Sequence, residues 1–90
     1  MLQTIRIIIS GKVQGVNYRA SARNAATELG VSGTTKNLAN GDVEIYATGS
    51  KEQLDKFIAW CRKGPAISKV SHVQTTELPL QAFDGFAIIR

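Results

Sequence analysis

Apolar residues take alternate positions at the start of the chain. In "TIRIIIS" (4–10), Ile5, Ile7 and Ile9 fall on one face and the run is rich in β-branched side chains, which predicts a buried first strand. The period then changes. Ala22, Ala25, Ala26 and Leu29 recur at helical spacing and Gly30 stands where a left-handed C-cap belongs, so a helix is expected over 19–29. Within "GTTKNLANGDVEIYATG" (33–49), Asn40-Gly41 predicts a two-residue hairpin turn between two strands. In the second of them Val43, Ile45 and Ala47 alternate with Glu44, Tyr46 and Thr48, one face buried and one wet. Ser50 and Gln53 form a capping box ahead of a second helix, whose stripe is Leu54, Phe57, Ile58 and Cys61 and whose end is Gly64-Pro65. "AISKVSHVQTTEL" and "GFAIIR" read as further strands, the last with Phe86 and Ile88 on one face. The order is β-α-β-β-α-β plus a short final strand. That order predicts an α+β, ferredoxin-like sandwich, with two helices on one face of an antiparallel sheet, in a single domain over 1–90. Many activities share this fold, so function has to come from a site.

Composition narrows the possibilities. With 43% apolar residues, ninety residues can bury a core without a staple. The lone Cys61 rules out an internal disulfide and points to a reducing, cytoplasmic setting. One cysteine and one histidine, His72, leave no metal-ligand cluster. The N-terminal apolar run is short and interrupted by Arg6, so no export signal or membrane span is expected. A net charge of +4 and a pI near 9.6 favour an anionic partner, either nucleic acid or a small phosphorylated compound; charge alone does not choose.

The segment "GKVQGVNYR" (11–19) joins the first strand to the first helix. Gly11 and Gly15 permit positive φ, and a loop turning into a helix N-terminus aims successive N–H groups at one point, which suits a phosphate. Arg19 in the helix's first turn opposes the macrodipole at a cost of some tenths of a kcal/mol, a penalty that a bound anion would reverse. The bland alternative makes Gly15 a turn glycine, Asn17 an N-cap, and Arg19 a solvated charge whose stem lies over the core.

"GKVQGVNYR" resembles the signature of the acylphosphatase family, Gly-x-Val-Gln-Gly-Val-x-aromatic-Arg, at every fixed position. "KNLANGDVEIYATG" (36–49) is similar to its second motif, with Lys36, Asn37, Gly41, Val43 and Gly49 in register. The resemblance spans the chain. It implies hydrolysis of a small acyl phosphate to a carboxylate and inorganic phosphate without metal or other cofactor. It further implies that Arg19 and the backbone amides of Gly15, Val16, Asn17, Tyr18 and Arg19 hold the phosphoryl group, and that Asn37 orients the attacking water. A monomer without nucleic-acid or membrane partners is expected.

The chemistry fits what the sequence lacks. No Ser-His, Cys-His or paired-carboxylate constellation accompanies these motifs. An acyl phosphate needs none, because its leaving group is the conjugate base of an acid of pKa about 4 and departs unprotonated. Charge on the equatorial oxygens is met by an arginine fork and fixed N–H donors, and a substrate phosphate oxygen accepts the water's proton. A phosphate monoester, with a poor alkoxide leaving group, should be a bad substrate. One departure stands out. Gly33 is followed by Thr34 and Thr35, where the family usually has an aromatic and a small apolar residue; altered packing and lower stability are expected there. Cys61 is assigned to the core and His72 to a surface or edge role. Two competing readings are an RNA-binding sheet and a scaffold that holds a phosphoryl group without turnover. The first lacks the aromatic stacking platform, since "DVEIYATG" offers only Tyr46.

Overall fold

The computed structural model describes residues 1–90. The chain runs β1 (Leu2–Lys12), α1 (Tyr18–Leu29), β2 (Ser32–Asn37), β3 (Val43–Ser50), α2 (Lys51–Lys63), β4 (Lys69–Leu78) and β5 (Phe86–Ile89). The strands form one sheet in the order β4-β1-β3-β2-β5. β1 pairs antiparallel with β3 and β4, and β2 antiparallel with β3. β5 joins the far edge parallel to β2, so the sheet is mixed. This is the ferredoxin-like arrangement with the short final strand expected from sequence, except that this last strand pairs parallel and the sheet is not wholly antiparallel. β1 also runs longer than the run 4–10, because pairing with β3 recruits Leu2 and Gln3 and pairing with β4 recruits Gly11 and Lys12.

One face of the sheet meets both helices. Ile7, Ile9, Val43, Ile45 and Ala47 from the strands, Ala22 and Ala26 from α1, and Leu54, Phe57 and Cys61 from α2 are buried there. α2 starts on the predicted capping box: Ser50 Oγ accepts the Gln53 N–H while Gln53 Oε1 accepts the Ser50 N–H. Gly33 has φ +154 and lies so close to β3 that a Cβ would fall 1.8 Å from the Tyr46 carbonyl oxygen, so no other residue fits. The face of β3 read as wet is only partly so. Glu44 is covered by Arg6, whose Nη2 lies 2.8 Å from the carboxylate, and Thr48 is covered by the β4–β5 connection. There the Gln81 N–H donates to Thr4 Oγ1 at 2.8 Å and Thr48 Oγ1 donates to the Gln81 carbonyl at 2.9 Å.

The β2–β3 turn differs from the two-residue hairpin expected. Leu38 N–H donates to the Asp42 carbonyl and Gly41 N–H to the Leu38 carbonyl, which closes a three-residue loop, Ala39-Asn40-Gly41. The type I′ turn that Asn-Gly favours needs positive φ at both central residues, but only Gly41 takes it, at φ +98. Asn40 instead turns its side chain onto the backbone, Oδ1 accepting the Asp42 N–H. The extra residue sets the register. Asn37 pairs with Val43, and therefore faces the helix side with Thr35 and Gly33. A two-residue loop would pair Asn37 with Glu44 and turn it to the opposite face.

The topology also sorts charge along the strand direction. One end of the molecule gathers the C-termini of β1, β2, β5 and α2 with the N-termini of β3, β4 and α1. Seven of the eleven lysines and arginines lie there: Lys12, Arg19, Lys36, Arg62, Lys63, Lys69 and Arg90. Two carboxylates, Asp42 and Glu44, lie toward that end, and Glu44, level with Lys36, is neutralised by Arg6, whereas Glu28, Glu52, Asp55, Glu77 and Asp84 belong to the other.

Candidate active site

A cleft of about 190 Å³ opens at the basic end, lined by Gly15, Asn17, Tyr18, Arg19, Ala20 and Asn37 together with Val13, Ile88 and Arg90. The turn from β1 into α1 forms one wall. Gly15 (φ +73) and Asn17 (φ +64) both take left-handed conformations, and Asn17 is the only non-glycine residue that does so. At Gly15 a Cβ would meet nothing within 4 Å, so its glycine is required by the backbone angle and not by space. Asn17 occupies the N-cap position, yet its side chain makes no capping hydrogen bond, because the left-handed backbone carries it away from the first turn. The opening N–H groups of α1, which have no intrahelical acceptor, are therefore left for another one. No acidic residue sits in that turn. Two alternating left-handed positions ahead of a helix N-terminus make a concave array of N–H donors, a geometry that binds anions.

Two side chains hold this turn in place. Tyr18 is buried, its hydroxyl donating to the Cys61 carbonyl at 2.8 Å and its ring 5.4 Å from Trp60, which ties the start of α1 to the end of α2. The end of α2 is shaped to receive it: a Cβ at Gly64 would lie 2.9 Å from the Tyr18 ring. Gln14 was not singled out by the sequence reading beyond its place in the signature. Its Nε2 donates to the carbonyls of Leu38 at 2.8 Å and Asp42 at 2.9 Å, and so clamps the β1–α1 turn onto the closing pair of the β2–β3 loop. Asn37 immediately precedes that pair.

Of the residues picked out in sequence, the structure brings Gly15, Asn17, Tyr18, Arg19 and Asn37 to one cleft. The Val16 side chain packs into the core, which leaves the role expected of its backbone N–H unaffected, and Ala20 takes a place on the wall. Arg19 is half-buried and makes a single long contact, Nη1 to the Ile89 carbonyl at 3.5 Å; it has no carboxylate partner. Asn37 Oδ1 is buried without any hydrogen-bond partner. Arg90 was missed, although the alternation that placed Phe86 and Ile88 on one face reaches it two residues on. Cys61 and His72 lie outside the cleft. Burial pushes the Cys61 thiol up to about 12, so it stays protonated and inert, while His72 is exposed on β4 opposite Ser10. No group of three His, Cys, Asp or Glu side chains converges on a point, and no helix is long and apolar enough to cross a membrane.

An anion cradle, a free guanidinium and an amide with an open acceptor, with no nucleophile among them, suit transfer of a phosphoryl group to water. Comparison with known proteins agrees. Residues 5–88 match the acylphosphatase family model. An acylphosphatase of Methylococcus capsulatus is 40% identical over 99% of this chain and 98% of its own length, and one of Acaryochloris marina is 45% identical over 96% and 92%. The crystal structure of acylphosphatase from Bacillus subtilis superposes with a TM-score of 0.95 at 35% identity, each chain covered in full. The chain belongs to the acylphosphatase family, and it hydrolyses acyl phosphates to a carboxylate and inorganic phosphate.

Proposed function

We propose that the phosphoryl group of a small acyl phosphate sits between the Arg19 guanidinium and the backbone N–H groups of residues 15–19, and that Asn37 orients the water that attacks it. The observation that carries this reading is Asn37 Oδ1, a buried acceptor with no partner in the protein, in the cleft that also holds an unpaired arginine. A buried acceptor left open costs about 1–3 kcal/mol, which a water O–H bonded there would recover. The water oxygen bonds to phosphorus as the phosphorus–acyl oxygen bond breaks. The electron pair leaves with the carboxylate, and the water's proton passes to a phosphoryl oxygen. Arg19 spans two equatorial oxygens and the turn's N–H groups meet developing charge without having to move.

In this reading the reaction needs neither a metal nor a cofactor, because the carboxylate departs without a proton and the guanidinium supplies the countercharge. The enzyme acts as a single-domain monomer over 1–90, in the cytoplasm, with no nucleic-acid partner. A buried free thiol suits a reducing compartment, and Tyr46, next to the buried Glu44, is a poor platform for stacked bases.

The test compares wild type with Asn37→Ala in phosphate release from benzoyl phosphate, with and without EDTA, and in thermal melts with inorganic phosphate. The expected result is chelator-insensitive turnover in wild type, most of it lost in Asn37→Ala. Phosphate at 100 times its dissociation constant should stabilise both proteins by about 2.7 kcal/mol. Activity of Asn37→Ala within a few-fold of wild type, or activity abolished by EDTA and restored by magnesium, would overturn the reading.

A further inference from the structure

We propose that Arg90 is a second phosphoryl-binding cation, reaching the bound anion from β5 while Arg19 holds it from α1. The inference rests on the proposed site and extends it. The parallel pairing of β2 with β5 matches Gly33 to Phe86, Thr35 to Ile88 and Lys36 to Ile89, so the next step in register sets Arg90 beside Asn37. The face is fixed independently. Phe86 packs edge-on against Phe57 of α2 with centroids 5.9 Å apart, so Phe86, Ile88 and Arg90 share the helix side of the sheet. Ile88 and Arg90 accordingly line the cleft, along with Asn37 and Arg19.

Charge explains what a second guanidinium would do there. A phosphoryl group brings two negative charges to a cleft with no acidic lining residue, and Arg19 offsets one of them. Neither Arg19 nor Arg90 has a carboxylate partner. The in-line geometry then selects the atoms. Water held by Asn37 occupies one apex of the transferring group, and the leaving acyl oxygen the opposite apex. A side chain on the strand next to Asn37 faces the equatorial oxygens on the water's side and not the departing carboxylate. With two equatorial oxygens on the Arg19 fork, Arg90 serves the third. Because Arg90 is exposed and no hydrogen bond anchors it, it acts as a charge more than as a fixed fork.

The experiment measures steady-state hydrolysis of substituted benzoyl phosphates and competition by inorganic phosphate in wild type, Arg90→Gln and Arg90→Lys. Arg90→Gln should raise KM and the phosphate inhibition constant together by about tenfold, the order expected for one charge-assisted contact. The maximal rate should stay within about threefold and the melting temperature without phosphate should not move. Arg90→Lys should recover most of the affinity, which a purely structural role for the arginine would not predict. An unchanged phosphate inhibition constant in Arg90→Gln overturns the inference while leaving the Arg19 site standing. A rate loss that grows with the pKa of the leaving acid also overturns it, by placing Arg90 at the acyl end. Wild type that phosphate does not inhibit overturns both this inference and the site it rests on.

Discussion

Thr35→Val should make the protein more stable at no cost to activity. Thr35 is fully buried on the helix side of β2, opposite Ile45 and beside Ile88, and its Oγ1 has no hydrogen-bond partner. An orphaned buried hydroxyl costs about 1–3 kcal/mol. Valine has the same shape and β-branching, so the substitution leaves no cavity and keeps the strand preference and χ1 restriction of threonine. For a domain of this size each kcal/mol moves the melting temperature by about 4–8 °C, so even the lower bound predicts a rise of roughly that amount. The assay is a circular-dichroism melt, paired with hydrolysis of benzoyl phosphate. Thr35 does not line the cleft, so KM and kcat should match wild type. An unchanged or lower melting temperature would mean that the hydroxyl is satisfied in solution. It would also weaken the case for Asn37, since both rest on the cost of an open buried polar atom.

Two further outcomes follow from the site and its surroundings. Arg19→Lys should lose about 10²–10³ in kcat, nearly as much as Arg19→Ala, because a point charge cannot span two phosphoryl oxygens; both variants should melt like wild type, and a lysine variant keeping more than about a tenth of kcat would refute bidentate clamping. Folding raises the Cys61 thiol from its usual 9.0 to about 12, so as pH rises through about 9 the unfolded chain loses a proton that the native protein keeps, and stability must fall with pH. Cys61→Ala should flatten that alkaline limb in melts between pH 8 and 10, and an unchanged slope would show that the thiol does not contribute.

Where local pattern decides the structure, the sequence was legible. The isoleucines of β1, the Ser50–Gln53 box and the Gly30 cap each depend on residues within a few positions, and each forms as read. Arg19 and Asn37 came from motif resemblance, and the cleft that joins them depends on pairings between distant segments. The Asn40-Gly41 turn shows the difference. Read locally as a two-residue hairpin it would send Asn37 to the wrong face, and only the added residue in the loop brings the amide beneath the Arg19 turn. The clamp from Gln14 joins segments 24 residues apart, a relation no periodicity reveals. Arg90 was hidden by its place one residue beyond a four-residue strand that pairs parallel to β2.

The sorting of charge to one end of the molecule bears on how quickly the enzyme meets its substrate and lets go of its product. A field from seven cations around the cleft gathers anions from solution and raises the encounter rate, and it does so only within about a Debye length, roughly 8 Å at physiological ionic strength. Inorganic phosphate is drawn back by the same field that draws the acyl phosphate in. Added salt therefore slows capture and eases product inhibition at once, and turnover at low substrate and at high product responds to ionic strength in opposite directions.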